Sequence, residues 1–455
     1  MSFEEMSIRK RASQTTKSKV RRKISDFDPT TLSQSTSTAT LSTPLYDIDY
    51  PSISPEEDDR IEQTVKLKAK KMVFDEKSLP TFDIEFGSWF RRNVRWILPS
   101  VTVPIFAIIL YSLIDFMLFL DLNKRIYNHV SGECSFLPGV EFGASDVAWM
   151  DNRTVIMTSG TNLNNVTNAT NGALVMWRVD GHETFRLELR SNTKKPTTFN
   201  PYGVSYYFDP KRGGIFAVVN LQSNADTIEL LQIDSTQPRW LKRIRRPIQS
   251  SSFTSLRDVQ LLGRGDRFYA TNAFRSRRYP LQLAEFVSHR LTGGSLVYFD
   301  GQKVKTLLNG LPTPTGLAYD PTRRLVFISM MSADRIDVFR QQNNDDEQLL
   351  KVEEIVVHSA PHFFVLEPQM KSLVVAAHPL KLRHLLYESN SEVYYAPSQV
   401  LRFRRVKKGD WRATQLYVND GATISGATVA IRLPDKQIGI GNSKSGLLRC
   451  GLTSV

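Results

Sequence analysis

One stretch constrains this chain more than any other. From Trp96 to Leu120 it reads WILPSVTVPIFAIILYSLIDFMLFL, with Asp115 as its one charge. As a helix rising about 1.5 Å per residue it exceeds the ~30 Å hydrocarbon core of a bilayer, so it can span with some tilt. Pro99 and Pro104 fall in its first third, where a helix tolerates proline better than at its middle. A buried core helix is the competing reading. A cleaved signal peptide does not fit, because 95 residues precede the stretch.

The flanks predict orientation. Arg91, Arg92 and Arg95 precede the span, with many more basic residues upstream, against Lys124 and Arg125 after it. The positive-inside bias places the N-terminus in the cytoplasm and residues 121–455 in the lumen or outside. Two features agree. The N-x-S/T sequons at Asn152, Asn165 and Asn168 all follow the span. Cys134 and Cys450, the two cysteines, also follow it, where disulfides persist. The expectation is a type II single-pass membrane protein in the endoplasmic reticulum, the plasma membrane or both.

Composition narrows the rest. The 455 residues, 41% hydrophobic and 23% charged, suffice for a large core. Two cysteines exclude a disulfide-dense scaffold and a Cys-rich zinc module. The net charge of +13 is dispersed outside the first 25 residues and carries no nucleic-acid motif, so no nucleic-acid partner is expected. Residues 1–88 read as a disordered cytoplasmic tail, with a basic start, a Ser/Thr run and the acidic PEEDDR. In it Ser13 and Ser25 follow basic residues, a pattern basophilic kinases accept. Residues 89–122 hold the membrane helix and its flanks, and 123–455 form the lumenal or extracellular domain.

In that domain short β-rich runs alternate with Gly, Pro and Asp turns. A pair of apolar strands about a turn recurs as VAWMDNRTVIMTS, VSYYFDPKRGGIFAVVN, VQLLGRGDRFYATN, LAYDPTRRLVFISM, FVLEPQMKSLVVAAH and VAIRLPDKQIGIGN. The turns lie near Asp151, Asp209, Arg264, Asp320, Glu367 and Asp435, at intervals of 58, 55, 56, 47 and 68 residues. Six such repeats predict an all-β fold, a six-bladed β-propeller. A ring must close, and Cys134 before the first repeat and Cys450 after the last would fasten it by one bridge. Two unpaired thiols are the alternative.

These residues resemble the paraoxonases, a family of calcium-dependent lactonases and arylesterases. The likeness covers about 125–455 and rests on CSFLPGVEFGASD, FNPYGVS, DVQLLGRGDRFYATN, SLVYFDG, PTGLAYDP, AAHP, GATISGATVA and LLRCGL. Both cysteines sit where that family places its ring-closing disulfide. The resemblance implies a catalytic calcium in the central tunnel, held by a Glu, two Asn and an Asp–Asn pair, below a histidine dyad. Those positions here carry Ser145, then Arg257 and Thr315, then His362 and Phe363; the dyad falls on Tyr202 and Leu221. Calcium needs several oxygen ligands, and a lactonase base needs an imidazole near neutral pH. No catalytic calcium and no family-type hydrolysis are therefore expected. His378 survives where the family has a histidine, more in keeping with a structural role.

The family's deeper, structural calcium site falls on Asp146, Asp258 and the carbonyl of Val204, all intact. Either one calcium sits there, or Arg257 reaches in to pair with both carboxylates. The membrane-anchored, degenerate pattern is similar to nematode paraoxonase-like proteins that assist degenerin/epithelial sodium channels. That resemblance implies a non-catalytic chaperone or auxiliary subunit whose partner is another membrane protein, with Asp115 available to a partner helix. The alternatives are a hydrolase with an altered site and a receptor for an apolar ligand in the vacated tunnel.

Overall fold

The computed structural model describes residues 85–130, 132–162, 172–181, 183–190, 198–288, 291–343, 345–367, 371–407 and 409–452. Most of the expected tail, Ser13, Ser25 and the sequons at Asn165 and Asn168 lie outside the described residues. Asn152 is exposed in a turn.

Helix α1, Glu85–Phe119, begins inside the segment read as tail. Its part Arg92–Phe119 is long and apolar enough to cross a membrane: 28 residues, about 42 Å at the helical rise. Trp96, Phe106 and Ile108 stand 65–78% exposed along it, as side chains meant for lipid do. The chain then turns into an all-β domain with two short helices, α2 (Tyr279–Ser288) and α3 (Lys381–Ser389). Phe119 at the end of α1 packs on Phe286 of α2, ring centres 5.6 Å apart.

The domain is propeller-like: four four-stranded antiparallel sheets and one of eight strands. The eight-stranded sheet is two antiparallel runs of four, joined where Glu188 and Leu189 pair in parallel with Trp240 and Leu241. Each of the six recurring turns joins two antiparallel strands, as at Asp209 between Pro201–Asp209 and Gly213–Asn220. The first strands of the six hairpins touch one another in cyclic order. Second strands such as Leu325–Met330 are buried along their whole length. That explains why they read as unbroken β-branched and aromatic runs with little alternation.

Closure uses the two ends of the domain. Strand Cys134–Phe136 pairs antiparallel with Gly446–Gly451, so an N-terminal strand completes the C-terminal sheet. Cys134 lies directly opposite Cys450, and the two are disulfide-bonded across 316 residues. In the chain-entropy model such a loop is worth about 5–6 kcal/mol.

Candidate functional site

A cavity of about 420 Å³ opens among the first strands and the helices α2 and α3. It gathers five of the seven positions singled out in the sequence: Tyr202, Leu221, Arg257, Thr315 and His362. Ser145 and Phe363 do not line it. The Ser145 hydroxyl shares a 2.6 Å hydrogen bond with that of Thr161, and the fully buried Phe363 ring packs on Tyr202 and His362 at 5.3 and 4.4 Å.

Arg257 does not pair with Asp146 or Asp258. Its guanidinium lies 5.5 Å over the Tyr202 ring and 5.9 Å from the centre of Phe274, on the cavity side. The carboxylates beneath are held by backbone instead. Asp146 accepts the N–H of Val147 and of Val204, each at 2.8 Å. Asp258 accepts those of Val259 and Leu317, each at 2.7 Å. Each therefore ties the start of its own hairpin to the first strand of the next. Hydroxyls repeat the stitch: Thr158 donates to the carbonyl of Tyr202 at 2.7 Å and Thr271 to that of Thr315 at 2.8 Å.

The local sequence makes these two joints alike. Gly203 and Gly316 each precede the bonding residue, and neither has room for a Cβ. One on Gly203 would sit 2.5 Å from the Arg257 carbonyl and 2.9 Å from Asp258 Oδ1. A third joint has the same form without its carboxylate. Phe363 precedes Phe364 where the ladder resumes after a bulge, as Asp258 precedes Val259. A phenyl ring thus occupies the slot in which the other two joints place an acid.

A calcium ion takes six to eight oxygens. Among the described residues no group of three or more His, Cys, Asp or Glu stands ready to hold a metal. All four oxygens of the Asp pair already accept backbone N–H groups, and Val204 meets Asp146 through its N–H. The residues present do not fit a calcium cage. Burial pushes the Asp146 carboxyl up to about 7, and burial with the neighbouring Asp146 charge pushes Asp258 well above the usual range. The pair is thereby biased toward holding a proton that two ordinary carboxylates would lose.

Three imidazoles lie in a row, with His362 and His384 on the cavity wall and His378 behind them, 5.5 Å from His362 and stacked on His384 at 3.8 Å. His362 Nδ1–H donates to the Thr428 carbonyl at 2.9 Å, which leaves Nε2 to accept the Tyr202 hydroxyl at 3.3 Å. Burial, then the charges of His378 and Arg257, hold His362 well below its ordinary value. Burial does the same for His378, and takes His384 down to about 3. Burial also raises the Tyr202 hydroxyl far above the usual phenol range. A phenol so hard to ionise beside an imidazole so hard to protonate makes a poor acid–base couple at neutral pH. The His384 position, the half-buried Glu388 and the helix α3 that carries both were not visible in the sequence.

Comparison with known proteins bears on this geometry. A family model described as arylesterase matches residues 116–452. Mechanosensory abnormality protein 6 of Caenorhabditis elegans is 29% identical over 368 residues, 78% of this chain and 95% of that protein. Serum paraoxonase/arylesterase 2 of Rattus norvegicus is 24% identical over 324 residues, 70% of this chain and 88% of that one. Serum paraoxonase/arylesterase 1 of Homo sapiens is 23% identical over 302 residues, 65% and 82% respectively. With its disulfide, its propeller-like sheets and a family match over most of its length, the chain belongs to the arylesterase family.

Proposed function

We propose that this protein is a non-catalytic member of its family, a membrane-anchored chaperone or auxiliary subunit for another membrane protein, such as a degenerin-type ion channel. The observation that carries the reading is the cavity. At five of the altered positions it presents a guanidinium, two hydroxyls, a neutral imidazole and a leucine, a set that supports neither calcium coordination nor base catalysis. The likeness to a nematode protein named for a mechanosensory abnormality supports the partner class.

In the same reading the domain has six blades, counting the eight-stranded sheet as two. The anchor is a type II span with the tail in the cytoplasm. The domain faces the lumen of the endoplasmic reticulum or the cell exterior, with glycans on Asn152, Asn165 and Asn168. The Asp146–Asp258 pair holds the ring together through a shared proton in place of a structural calcium.

Two measurements test this. Full-length protein in lipid nanodiscs, given aryl acetates and lactones with calcium, shows no turnover above empty nanodiscs. Affinity purification from native membranes recovers a channel subunit. Calcium-dependent hydrolysis abolished by Asp258→Asn would replace the reading with that of a hydrolase with an altered site.

A further inference from the structure

Arg257 has no carboxylate or carbonyl partner among the described residues; its neighbours are the faces of Tyr202 and Phe274. Arg277 borders the same cavity. Its Nη2 donates to the Gln222 carbonyl at 2.7 Å and to Asp226 Oδ1 at 3.1 Å, while its Nη1 is buried without a partner. A guanidinium nitrogen left in that state costs free energy until an acceptor arrives. Both guanidinium charges act on the Asp226 carboxyl, so they face one region of the cavity.

Leu221, Phe274, Leu283, Phe286, Met331 and Leu385 supply an apolar part of the wall, among hydroxyl, amide and imidazole groups. Asp226 pairs with Arg277, and burial biases Glu388 toward its neutral form. Arg257 is left as a cation beside the apolar part of the wall, with the exposed Arg278 also bordering a volume within the usual 300–1,000 Å³ of small-molecule sites.

We propose that this cavity is a binding site for a single-chain amphiphile with one carboxylate, whose headgroup sits on Arg257 with Arg277 Nη1 as a further donor. The chain lies along Leu283, Phe286 and Leu385. A phosphate dianion is disfavoured, because the Asp226 carboxylate lines the same space. A neutral lipid is disfavoured because it leaves the guanidinium without an anion. The inference does not depend on the proposed chaperone role, since neither turnover nor a protein partner enters it.

The test uses the full chain in lipid nanodiscs with empty nanodiscs as blank, and reads displacement of dansyl-labelled undecanoate at neutral pH. Decanoate should displace the probe at a concentration at least about tenfold below that of decanol, the value of a charge-assisted bond. Arg257→Met should bring the two ligands to the same concentration without moving the unfolding midpoint. Equal potency of decanoate and decanol on the wild-type protein overturns the proposal. So does a folded Arg257→Met variant that keeps the preference. If that variant does not fold, the wild-type comparison decides alone.

Discussion

Lys381 Nζ lies 3.0 Å from Asp121 Oδ2, with only 1% and 2% of the two side chains exposed. Asp121 is two residues beyond α1, and Lys381 is the first residue of α3. The pair therefore fastens the end of the membrane helix to the wall of the cavity. Asp334 Oδ2 adds a second carboxylate to the ammonium at 2.7 Å, and Lys124 reaches Asp121 Oδ1 at 2.6 Å. The end of the helix and the domain should move as one body at this joint.

Removing the ammonium leaves Asp334 without its cation and the buried Asp121 with Lys124 alone. Lys381→Met should cost about 3–5 kcal/mol, the usual penalty for breaking one side of a buried pair. Denaturant unfolding of the full chain in nanodiscs measures it. A loss below about 1 kcal/mol would mean that water reaches the pair.

The Asp146–Asp258 pair should make stability fall as pH rises. Both carboxyls have folded values raised above the unfolded ones, so their contribution is complete below about 4 and is lost as pH climbs through about 7. Asp258→Asn should flatten that alkaline limb of the melting temperature. If adding calcium raises the midpoint above pH 7 in the wild type and not in the variant, the pair holds a metal and the shared-proton reading fails.

The histidine column acts in the opposite sense. His362, His378 and His384 have folded values depressed below the unfolded one, so their contribution is complete above about 6.5 and is lost as pH falls below it. Between about 4 and 6.5 the imidazoles and the Asp pair therefore pull stability in opposite directions. Both ring nitrogens of His378 are buried without partners. His378→Phe should therefore be neutral or stabilising at neutral pH and should extend folding toward acid, as followed by circular dichroism. An unchanged acid midpoint would remove His378 from the account.

Gly203 tests the joint between hairpins. Gly203→Ala puts a methyl against backbone and Asp258 that cannot move aside, and should cost about 1–3 kcal/mol. Thermal melting would show it; a change within about 0.5 kcal/mol would mean that the strands can part there.

Much of this was legible because propeller-like folds write their turns into sequence. Asp151, Asp209, Asp320 and Asp435 each punctuate two apolar runs, and each marks a hairpin turn in the structure. The cysteines could be paired from position alone. The seven altered family positions were also readable, yet their grouping was not. Phe363 looked like a lost ligand on the tunnel wall and is a core side chain, because the bulge before Phe364 turns it inward. Arg257, one of two alternatives for the carboxylates' counter-charge beside a calcium ion, points the other way, toward aromatic rings. Helices α2 and α3, at 10 and 9 residues, are too short for their periodicity to stand out. The Lys381–Asp121 contact joins residues 260 apart, and nothing local in either segment announces it.

The zipper of strand Cys134–Phe136 onto Gly446–Gly451 sets a timetable for biogenesis. Its first half leaves the ribosome some 316 residues before its second. At roughly 5–20 residues per second the early edge waits on the order of 16–60 s for its mate. During that interval an open β-edge stands without its mate. Any factor that shields it, or any oxidant that captures Cys134 too early, would govern the yield of the finished ring.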